Sequence, residues 1–306
     1  MSKIIITGVD GQFGGIAAEH ALKRKPAGEL IFTSPFPEKI SHYQDKGVEV
    51  RKADFSSKDS LTKAFAGGES ILLISMPIVG DERVAMHTRA IEAAKAAGVR
   101  HIVYTSIVGA GDPANDALVT IDHNATEELI KDSGLTYKIA RNGQYSEAIT
   151  EYSLPSAFQT GKWTVNEGDG QMAYISRRDC AEAAAALVCG KGDDNHIYYI
   201  TGPELLTKQQ IVTLAEDMTG REIELIDISD DQTYAFFDSL GVPRTTANGM
   251  VGSPIPWCSD DMVSFGRAVR EGKMAVSTDD FGNITGHKAV SLRQLIGEAI
   301  KKGLYN

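Results

Sequence analysis

Three glycines at even three-residue spacing, Gly8, Gly11 and Gly14, follow a β-branched run, Ile4 to Ile6, closed by Thr7, and they precede a helical pattern. Few folds are open to a chain that begins this way. Gly8 allows a tight turn, Gly11 a close backbone approach, and Gly14 the packing of helix on strand, so that unpaired helix N–H groups at Gln12 and Phe13 face an anion such as a pyrophosphate. A lone triplet is weak; the parallel-sheet pattern that follows gives it meaning. Asp10, inside the loop, would be repelled by phosphate unless it turns back to cap the helix N–H groups, and capping is the expected role.

The helix expected over 12–25 ends before Pro26 and Gly28. Strands are expected at Leu30 to Thr33, Val48 to Ala53, Ile71 to Ser75, His101 to Thr105 and Leu135 to Ala140, separated by helical segments at about 38–46, 57–66, 82–97 and 117–132. Alternation of this kind means right-handed βαβ crossovers and a parallel sheet. From about Gln144 the texture shifts to aromatic residues among glycines, which suggests loops and short strands. An alanine-rich helix over Asp179 to Val188 and a last strand, His196 to Ile200, complete the sheet. The rest reads as helical: Thr207 with Gln210, Ser229 with Gln232 and Ser291 with Gln294 have capping-box spacing, and Gly220, Gly241 and Gly303 fall where helices should stop.

Charge narrows the function. The 306 residues carry a net charge of −10 and show no basic stripe, which argues against a nucleic-acid partner. No apolar run reaches the ~20 residues of a membrane span, and a first strand at residue 3 leaves no room for a signal peptide, so a cytoplasmic protein with a small-molecule partner is expected. A homodimer is compatible with this. Cys180, Cys189 and Cys258 fit neither a disulfide framework nor a zinc pattern, and the seven histidines are scattered, so no metal site is expected.

In a doubly wound sheet the ligand lies beyond the carboxyl ends of the strands. Thr33, Ser34, Asp54, Phe55, Ser75, Met76, Pro77, Thr105 and Ser106 should therefore face a dinucleotide, with Asp54 and Phe55 by the adenine and Met76 and Pro77 by the nicotinamide ribose. The alternative is that Asp54 caps the turn before Ser56 and that Phe55 is core. Residues 33–37 hold neither the acidic residue that selects NAD nor the arginine that selects NADP, and Lys39 is either a 2′-phosphate partner or a solvated helix lysine. Asn142, Gly143 and Tyr145 fall at the cleft mouth, where Asn142 would hold a carboxamide or substrate and Tyr145 would stack on or bond an aromatic ligand; the alternative is a loop anchored by Arg141 and Asn142. Trp257, between Pro254 and Pro256, is a pocket candidate, whereas Met262 and Phe265 read as core.

Thr7 to Gly15, Gly47 to Phe55, Leu72 to Pro77, Tyr104-Thr105-Ser106 and above all Arg141-Asn142-Gly143 with Tyr145 resemble the NmrA-like branch of atypical short-chain dehydrogenases. The resemblance runs over almost the whole chain, including Tyr199 to Pro203. It implies an α/β fold with a Rossmann-type doubly wound parallel sheet over residues 1–150, completed by parts of 176–200, and a smaller, mostly helical carboxyl-terminal substrate lobe over 151–175 and 201–306. It further implies NAD(P)H-dependent reduction of a quinone-like or other conjugated small molecule. The cofactor is NADP(H) or NAD(H): the family default is NADPH, but members commonly carry Arg where this chain has Pro35, and Thr or Ser where it has Asp10.

The Tyr-x-x-x-Lys pair of ordinary short-chain dehydrogenases is absent. His123 occupies the position of a histidine in the similar reductases and is the first candidate for a proton donor or substrate orienter, with Tyr145 beside it in the catalytic set; a surface histidine on a polar helix face is the alternative. A non-catalytic redox sensor of the NmrA type is the competing function. Convergence of Tyr145, Trp257 and His123 on one cleft would favour the enzyme.

Overall fold

The computed structural model describes residues 3–247, 250, 252–255 and 257–305. In chain order its strands and helices are β1 (Lys3–Ile6), α1 (Gln12–Leu22), β2 (Leu30–Ser34), β3 (Glu49–Lys52), α2 (Lys58–Phe65), β4 (Gly68–Leu73), α3 (Asp81–Ala96), β5 (His101–Ile107), α4 (Leu118–Asp132), β6 (Thr136–Asn142), α5 (Leu154–Thr160), β7 (Lys162–Val165), α6 (Arg177–Val188), β8 (His196–Ile200), α7 (Lys208–Thr219), β9 (Glu224–Asp227), α8 (Asp230–Ser239), α9 (Ser259–Arg270), α10 (Asp280–Thr285) and α11 (Leu292–Lys301). Tight three-residue-per-turn helix covers Pro37–Lys46, and a wide turn over Ala148–Ser153 leads into α5.

The main sheet has seven strands in the order β3-β2-β1-β4-β5-β6-β8, every pair parallel. This is the doubly wound arrangement, and the order reverses at β1 and β4. Because strand side chains alternate, Ile4, Ile6, Phe32, Leu72 and Val103 face α1, α6 and α10, while Ile5, Ile31, Ile71, Ile102 and Tyr104 face α2, α3 and α4. The α1–α6 contact is made of small residues, Ala17, Ala18 and Ala21 against the run Ala183 to Ala186, so the two backbones approach closely. A third core gathers Trp163, Val165, Met172, Tyr174, Ile211, Val269 and Ile296, together with Val108 and Ala117.

All three anticipated capping boxes form, each with both reciprocal bonds. Two expectations need correction. Residues 148–160 are helical rather than loop and strand, because Ile149, Leu154, Ala157 and Phe158 are buried together in the third core. The carboxyl-terminal part is also less purely helical than expected: β7 and β9 pair as a parallel two-stranded sheet with Trp163 opposite Leu225. Among the described residues no helix is long and apolar enough to cross a membrane, and no cluster of His, Cys, Asp and Glu has metal-binding geometry.

Candidate active site

The glycine loop is held from beneath. The Val9 N–H donates to the Thr33 carbonyl at 3.0 Å and the Gly11 N–H to Gly8 at 3.0 Å, while Gly8 takes a left-handed φ of 62°. A Cβ on Gly14 would stand 2.0 Å from the Gly8 carbonyl oxygen, so only glycine lets α1 sit this close to the loop. The N-cap of α1 is Gly11, with no side-chain cap and no acidic residue in the first turn. The helix therefore presents bare N–H groups and its positive dipole end at the point of strand-order reversal, which is what a diphosphate requires. Asp10 does not cap α1, contrary to expectation: it precedes the N-cap residue and is exposed. Gln12 accepts from the Arg177 guanidinium, which also lies 5.3 Å over the Tyr145 ring. Phe13 is buried, its ring 6.3 Å from that of Tyr145.

Along the carboxyl edge the expected residues divide. Thr33 and Ser34 are fully buried at the end of β2. The Asp54 carboxylate accepts from the Ser56 N–H at 2.9 Å and its hydroxyl at 2.6 Å, bonds that hold its pKa below the usual range, and Phe55 joins the core. Turn capping and packing are thus their observed contacts, rather than an open adenine face. The Ser75 N–H donates to Thr105 Oγ1 at 2.8 Å, and Ser106 donates to Glu127 at 2.6 Å, so both β5 hydroxyls are engaged within the protein. The Met76 N–H donates to His87, and Pro77 is exposed beyond it.

Asn142 ends β6 with Oδ1 buried and unpartnered among the described residues; Gln144 Oε1 and Ser146 Oγ share that condition two and four residues on. Orphaned acceptors of this kind call for a partner from outside the chain. Asn142 lies beside the Tyr145 hydroxyl, whose pKa is pushed up chiefly by burial. Gly143 has no room for a side chain: a Cβ would lie 2.5 Å from the Ala173 carbonyl oxygen. The bare α1 N–H groups, the glycine cradle and the free Asn142 acceptor fit a dinucleotide laid across this edge.

His123 is buried, not on a polar surface, and its Nδ1 lies 2.8 Å from the Tyr104 hydroxyl. Burial, then the charge of Arg83, depresses its pKa well below the ordinary histidine range. Trp257 is exposed, and Pro256 lies outside the described residues. Among the described residues no hydrogen bond or ring contact joins His123, Tyr145 and Trp257, so each belongs to a separate local cluster. A cavity of about 510 Å³ lined by Ser70, His101, Lys138 and Asp194 opens at the amino ends of β4 to β6, the end of the sheet away from the glycine loop.

Sequence reasoning passed over the polar layer beside His123. Arg83 and His87 are four apart on α3, as Asp122 and Thr126 are on α4, and these facing stripes meet above β5; i,i+4 spacing was the available signal. Arg83 is buried with Nη1 3.6 Å from Asp122 Oδ2, and Asp261 of α9 stands close enough to feel both charges. Burial raises the Asp261 pKa to about 6 against Arg83's opposing pull. A carboxyl whose folded pKa exceeds its unfolded value stabilises the fold when protonated and loses that contribution as pH rises from about 4 through about 6. Asp261→Asn should therefore raise stability by about 1–3 kcal/mol near neutral pH and by almost nothing near pH 4. Urea melts at the two pH values test this; an equal effect at both would refute the assignment.

The family model described as NAD(P)H-binding matches residues 8–189, from the glycine loop to just past the end of α6. Quinone oxidoreductase 2 of Escherichia coli (strain K12) is 34% identical over 252 residues, 82% of this chain and 87% of the relative. The crystal structure of the NADPH-dependent quinone oxidoreductase of Escherichia coli complexed with NADPH superposes with a TM-score of 0.87 at 29% identity, covering 97% of this chain and 99% of that one. The triphenylmethane reductase of Citrobacter sp. gives a TM-score of 0.84 at 28% identity over 98% and 99% of the two chains.

Proposed function

Since this chain belongs to the NAD(P)H-binding, NmrA-like family of reductases, we propose that it passes hydride from a nicotinamide cofactor to a quinone-like or otherwise conjugated small molecule at the carboxyl edge of its sheet. The observation that carries this is the uncapped N-terminus of α1 at the strand-order reversal, with the unpartnered Asn142 Oδ1 on the same edge. A bound nicotinamide supplies the hydride at C4; the chain supplies position. In this reading Gly8, Gly11, Gln12, Phe13 and Gly14 hold the diphosphate, with Asp10 at the loop's solvent side. Thr33 and Ser34 floor the adenosine end, beside Asp54 and Phe55, while Ser75, Met76, Pro77, Thr105, Ser106 and Asn142 line the nicotinamide end. Gly143, Tyr145 and Trp257 border the substrate, and His123 and Tyr145 form the catalytic set.

The cofactor in this proposal is NADPH. One of the solved structures above is NADPH-dependent and NADPH-bound by name, and Lys39, its ammonium 4.5 Å over the exposed Phe36 ring just past β2, offers a cation where Pro35 offers none. Titrating one preparation with NADPH, NADP⁺, NADH and NAD⁺ tests the core of the proposal. NADPH should bind most tightly and support reduction of 1,4-benzoquinone, and His123→Ala should lower turnover about 10²-fold or more while NADPH affinity stays near wild type. Preference for oxidised forms without turnover would replace the reductase with a redox sensor. Failure to bind any of the four would end the nucleotide reading.

A further inference from the structure

Hydrogen-bond direction around His123 can be worked out from groups that have only one role. The backbone N–H of Met76 donates to His87 Nε2 at 3.0 Å, and an amide N–H cannot accept, so that nitrogen carries no proton. Burial first, then the charge of Arg83, holds His87 neutral with a pKa down to about 3. Its single proton is therefore on Nδ1, 3.0 Å from Thr126 Oγ1. The Thr126 hydroxyl donates to the Asp122 carbonyl at 2.9 Å, and a carbonyl only accepts. The run Met76, His87, Thr126, Asp122 is thus polarised one way and fixed at both ends.

Tyr104 stands beside this run. Its fully buried hydroxyl is 3.5 Å from His87 Nδ1, which carries a proton, and 2.8 Å from His123 Nδ1. His87 Nδ1 carries its own proton and cannot accept, and the shortest contact of the Tyr104 hydroxyl, 2.8 Å, is to His123 Nδ1, which we take as its acceptor. Burial keeps the phenol protonated. The charged and titratable groups facing this centre are Arg83 and His87 from α3, Asp122 and Glu127 from α4, Tyr104 from β5, and, across Arg83, Asp261 from α9.

We propose that Tyr104 locks His123 in its Nε2–H tautomer, so that His123 meets the substrate as a neutral hydrogen-bond donor and does not supply the proton of the reaction. This rests on the reductase reading of the same edge. Tyr104 is a positioning residue, acting through His123. The network orients but cannot conduct, because refilling His123 through Tyr104 and His87 would draw in the end on the Met76 backbone amide, which does not give up its proton. In the reduction of a quinone, one hydride from NADPH and one proton give the hydroquinone and NADP⁺; here the proton comes from solvent, and the His123 N–H steadies the oxygen on which charge gathers.

The test uses the full chain labelled with ¹⁵N-histidine and read by long-range ¹H–¹⁵N correlation, with His123 assigned by its loss in His123→Ala. Wild type should show neutral His123 as the Nε2–H tautomer throughout about pH 5.5 to 8, and the isosteric Tyr104→Phe should show both tautomers. An Nδ1–H resonance, or an imidazolium, in the wild type would overturn the proposal, and that outcome needs no variant to fold. With NADPH and 1,4-benzoquinone, kcat should be flat across the same range, and Tyr104→Phe should lower kcat about tenfold with KM for NADPH unchanged. An acid limb abolished in His123→Ala would show His123 giving up a proton, against the proposal. Absence of any quinone reduction by wild type would sink the reductase reading instead, leaving the tautomer to be decided by the spectra.

Discussion

Glu127→Ala is expected to cost about 3–5 kcal/mol of stability, because it strands a buried guanidinium. Glu127 is fully buried and binds Arg141 through both oxygens, Nε to Oε1 at 2.9 Å and Nη2 to Oε2 at 2.6 Å, while Ser106 donates to Oε1 at 2.6 Å. Arg141 keeps only its bond to the Tyr199 hydroxyl at 2.8 Å once the carboxylate is gone. Water cannot easily repair this, since the turn at Gly111 lies directly on the guanidinium: a Cβ there would stand 2.2 Å from Nη2. Calorimetry should show the melting temperature falling by about 5–8 °C. A fall of only a degree or two would mean that the pair contributes nothing beyond its own desolvation. The effect should reach the nucleotide as well, because Asn142 follows Arg141 on β6 and takes its place from the same strand.

Gly14→Val should abolish measurable NADPH binding. The new side chain would begin 2.0 Å from the Gly8 oxygen and 2.6 Å from the Gly8 carbonyl carbon, both backbone atoms of a turn that already holds φ at 62°. Neither can give way, so α1 must withdraw from the loop and carry its N–H groups with it. Overpacking of this kind costs about 1–3 kcal/mol in stability besides the lost ligand. Gly28→Ala is the control: its Cβ would meet nothing within 4 Å, and a glycine replaced without strain gains about 0.4–1 kcal/mol through the unfolded chain. Retention of NADPH affinity in Gly14→Val would mean that the cradle does not hold the nucleotide.

The parallel sheet and the glycine cradle were legible because each rests on local chemistry: β-branched runs, glycines at fixed offsets, and Ser or Thr three residues ahead of Gln. What escaped had non-local causes. The buried positions of residues 148–160 are Ile149, Leu154, Ala157 and Phe158, and the wide turn inserts one extra residue between the first two, which breaks the 3.6-residue period by which a helix is recognised. Asp10 misled by a single position, since the cap falls at Gly11. The layer of Arg83, His87, Asp122 and Thr126 is split between two helices, and neither stripe signals its partner. His123 read equally well as a surface residue, because the hydroxyl that buries it belongs to a strand nineteen residues earlier.

The alanine contact between α1 and α6 has a consequence for how the chain is made. Arg177, at the start of α6, lies 165 residues beyond its partner Gln12. At translation rates of about 5–20 residues per second, α1 waits roughly 10–30 seconds with its small-residue face bare before α6 exists to cover it. The glycine cradle is therefore encoded first and braced late, by contacts of long sequence separation that are slow to form. On the ribosome the first fifty residues carry the glycine loop and α1 but not the helix that covers them, so the cradle can close only once the chain has grown past Val188, well into the second half of its synthesis.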